Sequence, residues 1–299
     1  MSELPAPAEI GIAFGTAFLT EALTPGKLST VSSSKSIKDL TPGKFIHATP
    51  HITAELINAA IRGYKGEALR LGASVLEITR NTLRNKWVGT NVALGYAILS
   101  TSLAYILGKA LSRGLALIDL PTLIQSLHPE LLAELRKEPS CRLYAAISYS
   151  EKHLGAYFGR IPDVRSTEGC REITLLEVFQ HSSLDDEVSD ELMRCFTRTL
   201  QAYALMKSLT TQLGVLEAVK QTHTYLLREH PDTLVTKSRG LPTAYALMKI
   251  AGNPLKGRYE QIDRYLRVKG VNPGTTSDIT SCALGLLLVE RIEAGCSRQ

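Results

Sequence analysis

Apolar residues recur along the chain every three or four positions, and strict alternation of apolar and polar residues is scarce. The helical spacing is clear from Leu56 to Tyr64, from Met193 to Tyr203 and from Val215 to Leu226. No alternation of strands with helices interrupts it, so the sequence predicts an all-α fold. Because no flexible linker or internal repeat divides the chain, we expect a compact single-domain helical bundle over residues 1–299.

An uncharged run extends from Trp87 to Gly108, with Lys86 and Lys109 on either side. Its length is sufficient to cross a lipid bilayer. Serine, threonine, asparagine and glycine residues inside the run make it more polar than a typical membrane span. We therefore expect a fully buried central helix in a protein that does not associate with membranes.

Prolines and glycines predict where the helices end. Pro121, Pro129 and Pro139 are expected to break the middle of the chain into short helices. Residues 166–169 are typical of a loop. Residues 272–274 predict a turn, and the three hydroxyl residues after it are candidate N-caps for the last helix.

The charge balance changes this picture only modestly. The chain carries 34 lysines and arginines against 29 aspartates and glutamates, a net charge of +5 that is spread along the sequence. This excess suits anionic small molecules, but a nucleic-acid-binding protein needs a more concentrated basic face. Only 6% of the residues are aromatic, which also argues against stacking surfaces for single-stranded nucleic acid.

The five cysteines are Cys141, Cys170, Cys195, Cys282 and Cys296. Their odd number, their wide separation and the lack of any CxxC pair predict reduced thiols. The N-terminal segment has no basic region ahead of an apolar stretch, so no signal peptide is expected. Together these features predict a cytoplasmic protein.

Signatures of several common enzyme classes are missing from the sequence. Gly252 and Gly257 have the spacing of a Walker loop, but Arg258 and Tyr259 follow where lysine and serine or threonine are required. No HExxH zinc motif and no GxSxG nucleophile elbow is present, and the seven histidines are dispersed. The sequence therefore does not favour a metalloprotease or an α/β-hydrolase.

Polar residues cluster in three places where helices are expected to begin or end. Glu21 precedes Lys27, Asp232 precedes Lys237 and Arg239, and a third group covers Asn272 to Asp278. Free backbone N–H groups and the positive dipole end allow a helix N-terminus to bind phosphate oxygens. Asp278 could hold a Mg²⁺ ion that bridges phosphates. Ordinary helix capping is the alternative interpretation of the same residues.

Five segments, in order along the chain, resemble motifs of the triphosphoribosyl-dephospho-CoA synthase family, especially its archaeal type. The fourth and fifth segments are the most specific. The fourth resembles the family pattern Pro-Asp-Thr-Leu-Ile-x-x-Lys, and the fifth resembles Asn-Pro-Gly-Thr-Thr-x-Asp-x-Thr. The segments are Glu21–Gly26 with Ser29, Asn91–Gly95 with Ile98 and Leu99, Asp163–Val164 and Thr174–Val178 with Asp185 and Asp186, His230–Leu234 with Lys237, and Asn272–Asp278 with Thr280.

The resemblance implies an all-α fold and a transferase activity. Family members move the triphosphoribosyl group of ATP to a hydroxyl of the dephospho-CoA ribose and release adenine, which yields the precursor of an acyl-carrier-protein prosthetic group. The implied partners are ATP and a dephospho-CoA-like nucleotide, with Mg²⁺ as the inferred cofactor. A homodimer is one option for the quaternary state, which the sequence leaves open.

The resemblance also implies roles for individual residues. The candidate carboxylates for proton transfer are Glu21, Asp39 and Asp232, and the candidate metal ligand is Asp278. The residues expected to bind nucleotide are Lys27, Asn91, Thr233, Lys237, Arg239, Asn272, Gly274, Thr275 and Thr276.

Three departures from the family pattern define an alternative. Thr24 stands where the family has lysine, and Ala93 replaces the second asparagine of its Asn-Thr-Asn motif. The segment Ser36–Leu40 lacks the histidine that accompanies the family's acidic segment at this place. Lys27 lies three positions beyond Thr24 and is a candidate replacement. The alternative function is a noncatalytic helical module on the same fold that binds nucleotides or other proteins.

Overall fold

Helices form the regular structure of the residues described by the computed structural model, which are 6–150, 161–164, 169–253 and 258–296. The first seven helices are α1 Pro7–Leu23, α2 Pro42–Lys65, α3 Leu71–Arg84, α4 Leu94–Ser112, α5 Leu120–Lys137, α6 Cys141–Ser150 and α7 Leu175–Ser182. The next seven are α8 Glu187–Met193, α9 Thr197–Leu213, α10 Val215–Glu229, α11 Thr233–Arg239, α12 Leu241–Gly252, α13 Tyr259–Lys269 and α14 Gly274–Cys296. Only isolated β-bridges accompany them in the described residues, so the all-α prediction is confirmed.

Helix α4 is the buried centre of the bundle, as the uncharged run predicted. It packs against α1, α2, α3, α5, α8 and α14. The hydroxyls of Ser100 and Ser102 donate to the carbonyls of Tyr96 and Ile98, which offsets the cost of burying them. The helix is long and apolar enough to span a membrane, but 83% of its most apolar window is buried inside the protein. It begins at Leu94, so the first part of the predicted run is not helical.

Close contact between α2 and α4 depends on two glycines. A Cβ atom at Gly63 would lie 2.1 Å from the carbonyl oxygen of Tyr105, and one at Gly108 would lie 2.0 Å from the carbonyl oxygen of Ala60. Any larger residue at either position would push the two backbones apart. The glycines in this apolar region therefore mark a close helix crossing.

The buried apolar residues form a main core and a smaller group, which we call the satellite cluster. The main core extends from α1 to α10 and includes α14. The satellite cluster consists of Leu28, Leu227, Val235, Ala244, Leu247, Ala251, Leu266 and Val271. It joins α10 to the short helices α11, α12 and α13, which carry few other buried residues.

The stripe from Met193 to Tyr203 does not form one helix, contrary to its spacing. Cys195 and Phe196 adopt the left-handed backbone conformation, with φ of 56° and 54°, and separate α8 from α9. The buried carboxylate of Glu191 accepts hydrogen bonds from the backbone N–H groups of Arg198 and Thr199, both at 2.8 Å. The chain turns because a carboxylate from α8 caps the start of α9.

The prediction that proline ends each central helix is wrong for Pro129, which lies inside α5. Pro121 occupies the first turn of that helix and Pro139 follows its end, as expected. The helix continues through Pro129 because Leu127, Leu131 and its other core-facing leucines are buried on both sides of the proline. Most of the loop predicted at 166–169 lies outside the described residues.

The prediction of reduced thiols is wrong for one pair, because Cys141 and Cys170 form a disulfide. They are 29 positions apart in sequence. The fold brings the start of α6 beside the segment that leads into α7, a proximity that cysteine spacing does not reveal. Cys195 and Cys282 are free. The cytoplasmic location stays a prediction, and the disulfide weakens its basis.

Candidate functional site

One cavity of about 670 Å³ has a polar side and an apolar side. Its apolar wall includes Phe18 and Phe45, together with Leu143 of α6 and Phe179 of α7. Its polar wall is built by the end of α1, the starts of α4 and α14, and helix α11. Segments that are more than 200 positions apart in sequence thus meet around one space.

A buried ion pair forms where α1 ends. The chain turns at Gly26, whose φ of +81° is unfavourable for other residues, and so returns Lys27 to the last turn of α1. The ammonium of Lys27 donates to the carboxylate of Glu21 at 2.6 Å and to its carbonyl oxygen at 2.5 Å. Burial lowers the pKa of Lys27, although the nearby Glu21 opposes this shift. The pair fixes one carboxylate and one amine on the cavity wall.

Asp232 joins the starts of α11 and α14. One carboxylate oxygen accepts from the N–H of Val235 at 2.9 Å, and the other accepts from both the N–H and the hydroxyl of Thr276 at 2.8 Å. Burial raises the pKa of Asp232, and these hydrogen bonds oppose the shift. Asp232 lies behind the cavity wall rather than on it, and its contacts hold two helix starts together.

Asp278 lies in the first turns of α14, directly against the start of α4. A Cβ atom at Gly95 would be 2.3 Å from its carboxylate oxygen, so only glycine leaves room for this approach. The N–H of Tyr96 donates to the same carboxylate. Burial, followed by the charges of Glu21 and Asp232, raises the pKa of Asp278 well above its ordinary value. Asp278 is therefore costly to ionise unless a cation binds beside it.

Asn91 shapes the cavity wall just before α4. Its side-chain oxygen accepts hydrogen bonds from the N–H groups of Ala93 and Leu94, each at 3.1 Å. This arrangement is an Asx turn that starts the buried helix. Ala93 itself lines the cavity, so the departure from the family's second asparagine removes a polar group from the wall.

The structure brings most of the predicted site residues to this cavity. Those that line it are Glu21, Lys27, Asn91, Lys237, Arg239, Asn272, Gly274, Thr275 and Asp278. Asp232, Thr233 and Thr276 lie immediately behind, where the hydroxyls of Thr233 and Thr275 are 3.2 Å apart. Asp39 is not brought to the cavity, since its exposed carboxylate pairs with Lys44 at 3.5 Å on the surface.

Three further residues at this site were not among the residues predicted to bind nucleotide, carry out proton transfer or hold a metal. Asp186 lines the cavity, caps α8 through the N–H of Ser189 at 2.9 Å and pairs with Lys237. Ser277 also lines the cavity, and its hydroxyl lies 3.3 Å from the buried ring of His223. Asp186 falls in an acidic stretch with a recognisable capping pattern. Nothing in the local sequence distinguishes His223 from the other histidines.

The carboxylates at this cavity are suited to a magnesium ion that binds together with phosphates. They are less suited to a metal ion held by protein side chains alone. Among the described residues, no group of three or more histidine, cysteine, aspartate or glutamate side chains is arranged to hold an ion. Glu21 and Asp278 both line the cavity and influence each other electrostatically. Mg²⁺ commonly takes one or two protein carboxylates and completes its shell with phosphates and water.

Comparisons with known proteins identify the family of this chain and support its fold. A family model described as CitG, ATP:dephospho-CoA triphosphoribosyl transferase, matches residues 7–297. A crystal structure from Archaeoglobus fulgidus, described as a triphosphoribosyl-dephospho-CoA synthase, superposes with a TM-score of 0.56 at 21% identity. The superposition covers 80% of this chain and 98% of the other, and it supports the fold. None of the curated protein sequences matches this chain significantly.

Proposed function

The chain belongs to the family of ATP:dephospho-CoA triphosphoribosyl transferases, and we propose that the cavity containing Glu21, Lys27 and Asp278 is its active site. The protein is a transferase that moves a triphosphoribosyl group from ATP to a dephospho-CoA-like acceptor and releases adenine. The observation that carries the proposal is the meeting of the Glu21, Lys237 and Asp278 segments around one cavity.

The reaction exchanges one bond at the ribose of ATP. The bond between C1′ and the adenine nitrogen breaks, and a new bond forms between C1′ and a hydroxyl oxygen of the acceptor. The hydroxyl proton must leave, while the departing adenine must gain a proton. Glu21, fixed by Lys27 on the cavity wall, is our candidate for accepting the hydroxyl proton.

The triphosphate needs an electrostatic grip while the glycosidic bond breaks. In our proposal the start of α14, where Asn272 and Thr275 line the cavity, attracts phosphate oxygens through the positive end of its helix dipole, while the N–H of Thr276 stays bonded to Asp232. Lys237 and Arg239 add positive charge at the exposed edge of the cavity. Asp232 keeps α11 and α14 in register and acts as a positioning residue.

Asp278 is the residue we propose to hold Mg²⁺ together with the triphosphate, with Glu21 beside it. When bound, the ion would neutralise phosphate charge and compensate the otherwise costly ionisation of the Asp278 carboxylate. The protein's own contribution is to keep that carboxylate in place through the Tyr96 N–H and the space that Gly95 leaves.

The test is an assay of free adenine after incubation with ATP, MgCl₂ and dephospho-CoA. We expect adenine release that depends on the acceptor. Glu21→Gln should lower kcat by about 100-fold or more while ATP still stabilises the protein thermally, because proton acceptance is lost and binding remains. The exposed Glu260→Gln on α13 is the matched control and should retain wild-type kcat.

Two results would contradict the proposal. Full kcat in Glu21→Gln would exclude this carboxylate as the proton acceptor. Thermal stabilisation of the wild type by ATP without adenine release would instead support the noncatalytic nucleotide-binding alternative, because a ligand that binds the native state stabilises it without turnover.

A further inference from the structure

A serine and a histidine form a pair between the cavity and the protein interior. Ser277, in the first turn of α14, lines the cavity, and its hydroxyl oxygen lies 3.3 Å from Nε2 of His223. His223 belongs to α10 and is completely buried. The reaction as proposed above uses neither residue, although the serine faces the space where the triphosphate would bind.

The position of the imidazole proton follows from the surroundings of His223. Its Nδ1 atom is buried and has no hydrogen-bond partner. Burial, and then the charge of Lys27, lowers the pKa of His223 well below its ordinary value, so the ring is neutral and carries one N–H. A proton on Nδ1 would be a buried donor without an acceptor, which is rare in folded proteins. The proton is therefore on Nε2.

This assignment determines what the serine offers to a ligand. Since Nε2–H donates to Ser277, the serine oxygen is already an acceptor in the interior, and its own O–H is available to donate into the cavity. A hydroxyl donor on the cavity wall at a helix start is suited to an anionic oxygen.

We propose that the Ser277 hydroxyl donates a hydrogen bond to a phosphate oxygen of the nucleotide and that His223 is the positioning residue that orients it. This inference rests on the proposed function, because it requires that ATP occupy the cavity.

The experiment is a double-mutant cycle read out as KM for ATP. Ser277→Ala should raise KM about 10-fold with a smaller change in kcat, because a hydrogen bond to a charged oxygen is lost. His223→Met should raise KM about 3-fold, because the serine hydroxyl loses its fixed orientation. The double variant should match Ser277→Ala alone, since His223 acts only through the serine.

Rescue and control variants separate positioning from a purely structural role. His223→Gln retains a side-chain N–H and should restore a KM close to that of the wild type. The exposed Ser126→Ala on α5 should leave KM unchanged. His128→Met removes another buried histidine, whose Nε2 lies 2.7 Å from the carbonyl oxygen of Leu192, and should lower stability without raising KM.

The inference is overturned if Ser277→Ala binds ATP as tightly as the wild type. It is also overturned if the effects of the two single variants multiply, or if His223→Gln behaves like His223→Met. The shift in melting temperature that ATP with MgCl₂ causes in the same variants measures nucleotide binding without turnover. A wild type that binds ATP but releases no adenine would contradict the proposed reaction, while this binding cycle would still decide the role of Ser277.

Discussion

At the scale of single residues, burial of the Asp278 carboxyl group in the candidate site lowers the stability of the folded protein. Its carboxyl group ordinarily has a pKa of 3.8, and burial beside Glu21 and Asp232 raises that pKa well above this value in the folded protein. Between the two values the folded state binds more protons than the unfolded state. The free energy of unfolding therefore falls as pH rises through this interval.

We expect Asp278→Asn to raise the melting temperature near neutral pH, because it removes a carboxylate that folding makes costly to ionise. The difference from the wild type should shrink as the pH falls and should vanish below 3.8, where the wild-type carboxyl is protonated in both states. The same variant should lose most of the stabilisation that ATP with MgCl₂ gives. Thermal melts across pH, with and without nucleotide, measure both effects.

Asp185→Asn is the matched control, since it makes the same change at an exposed aspartate. It should change neither the pH dependence nor the response to nucleotide. If Asp278→Asn instead unfolds the protein, the carboxylate serves the structure through the Tyr96 N–H rather than a bound cation.

At the scale of helices, Asp232 joins two helix starts that depend on the same carboxylate. We expect Asp232→Ala to lower the free energy of unfolding by about 2–4 kcal/mol, because it removes one N-cap and leaves buried donors of Val235 and Thr276 without an acceptor. Urea unfolding measures the change. Asp119→Ala, which removes only the cap of α5, should cost about 1 kcal/mol. Equal losses in the two variants would contradict a joining role for Asp232.

The Cys141–Cys170 disulfide joins the start of α6 to the segment before α7, and both helices contribute to the apolar wall of the cavity. We expect Cys141→Ser to lower the free energy of unfolding by about 3–4 kcal/mol, since the bond joins residues 29 positions apart and so closes a long loop in the unfolded chain. Urea unfolding under oxidising conditions measures the loss. Cys195→Ser should cost much less, and a reductant should abolish the difference between wild type and Cys141→Ser. An unchanged midpoint for Cys141→Ser would contradict this role.

The helices show what could be predicted from sequence and what could not. The uncharged run from Trp87 to Gly108 predicted the buried helix α4. The motif resemblance assigned Glu21 and Asp278 to the same reaction, and both line one cavity. The break at Phe196 was missed because it depends on a capping carboxylate from another helix, Glu191. The disulfide and His223 were missed for a related reason. Each depends on residues that only the folded chain brings together, so no local pattern marks them.

At the scale of the whole molecule, the cavity lies where two apolar clusters meet. Glu21 and Asp278 belong to helices of the main core, whereas Lys237 and Asn272 flank the satellite cluster. Within the part of the chain that the structure describes, the satellite cluster contains only eight buried apolar residues. Regions with few buried contacts open more readily than the centre of a protein. A nucleotide bound in the cavity would contact both parts and so resist that opening.

We therefore expect ATP with MgCl₂ to slow amide hydrogen exchange mainly in α11 and at the start of α14, with little change in α4, whose amides are already protected by burial. Hydrogen exchange followed by mass spectrometry measures this with and without nucleotide. Lys237→Ala removes a cation from the satellite side of the cavity and should reduce the protection in α11. Lys249→Ala, in α12 and outside the cavity lining, is the control and should leave the protection unchanged. Protection confined to α1 and α4 would mean that the nucleotide binds the main core alone and that the satellite helices do not take part in binding.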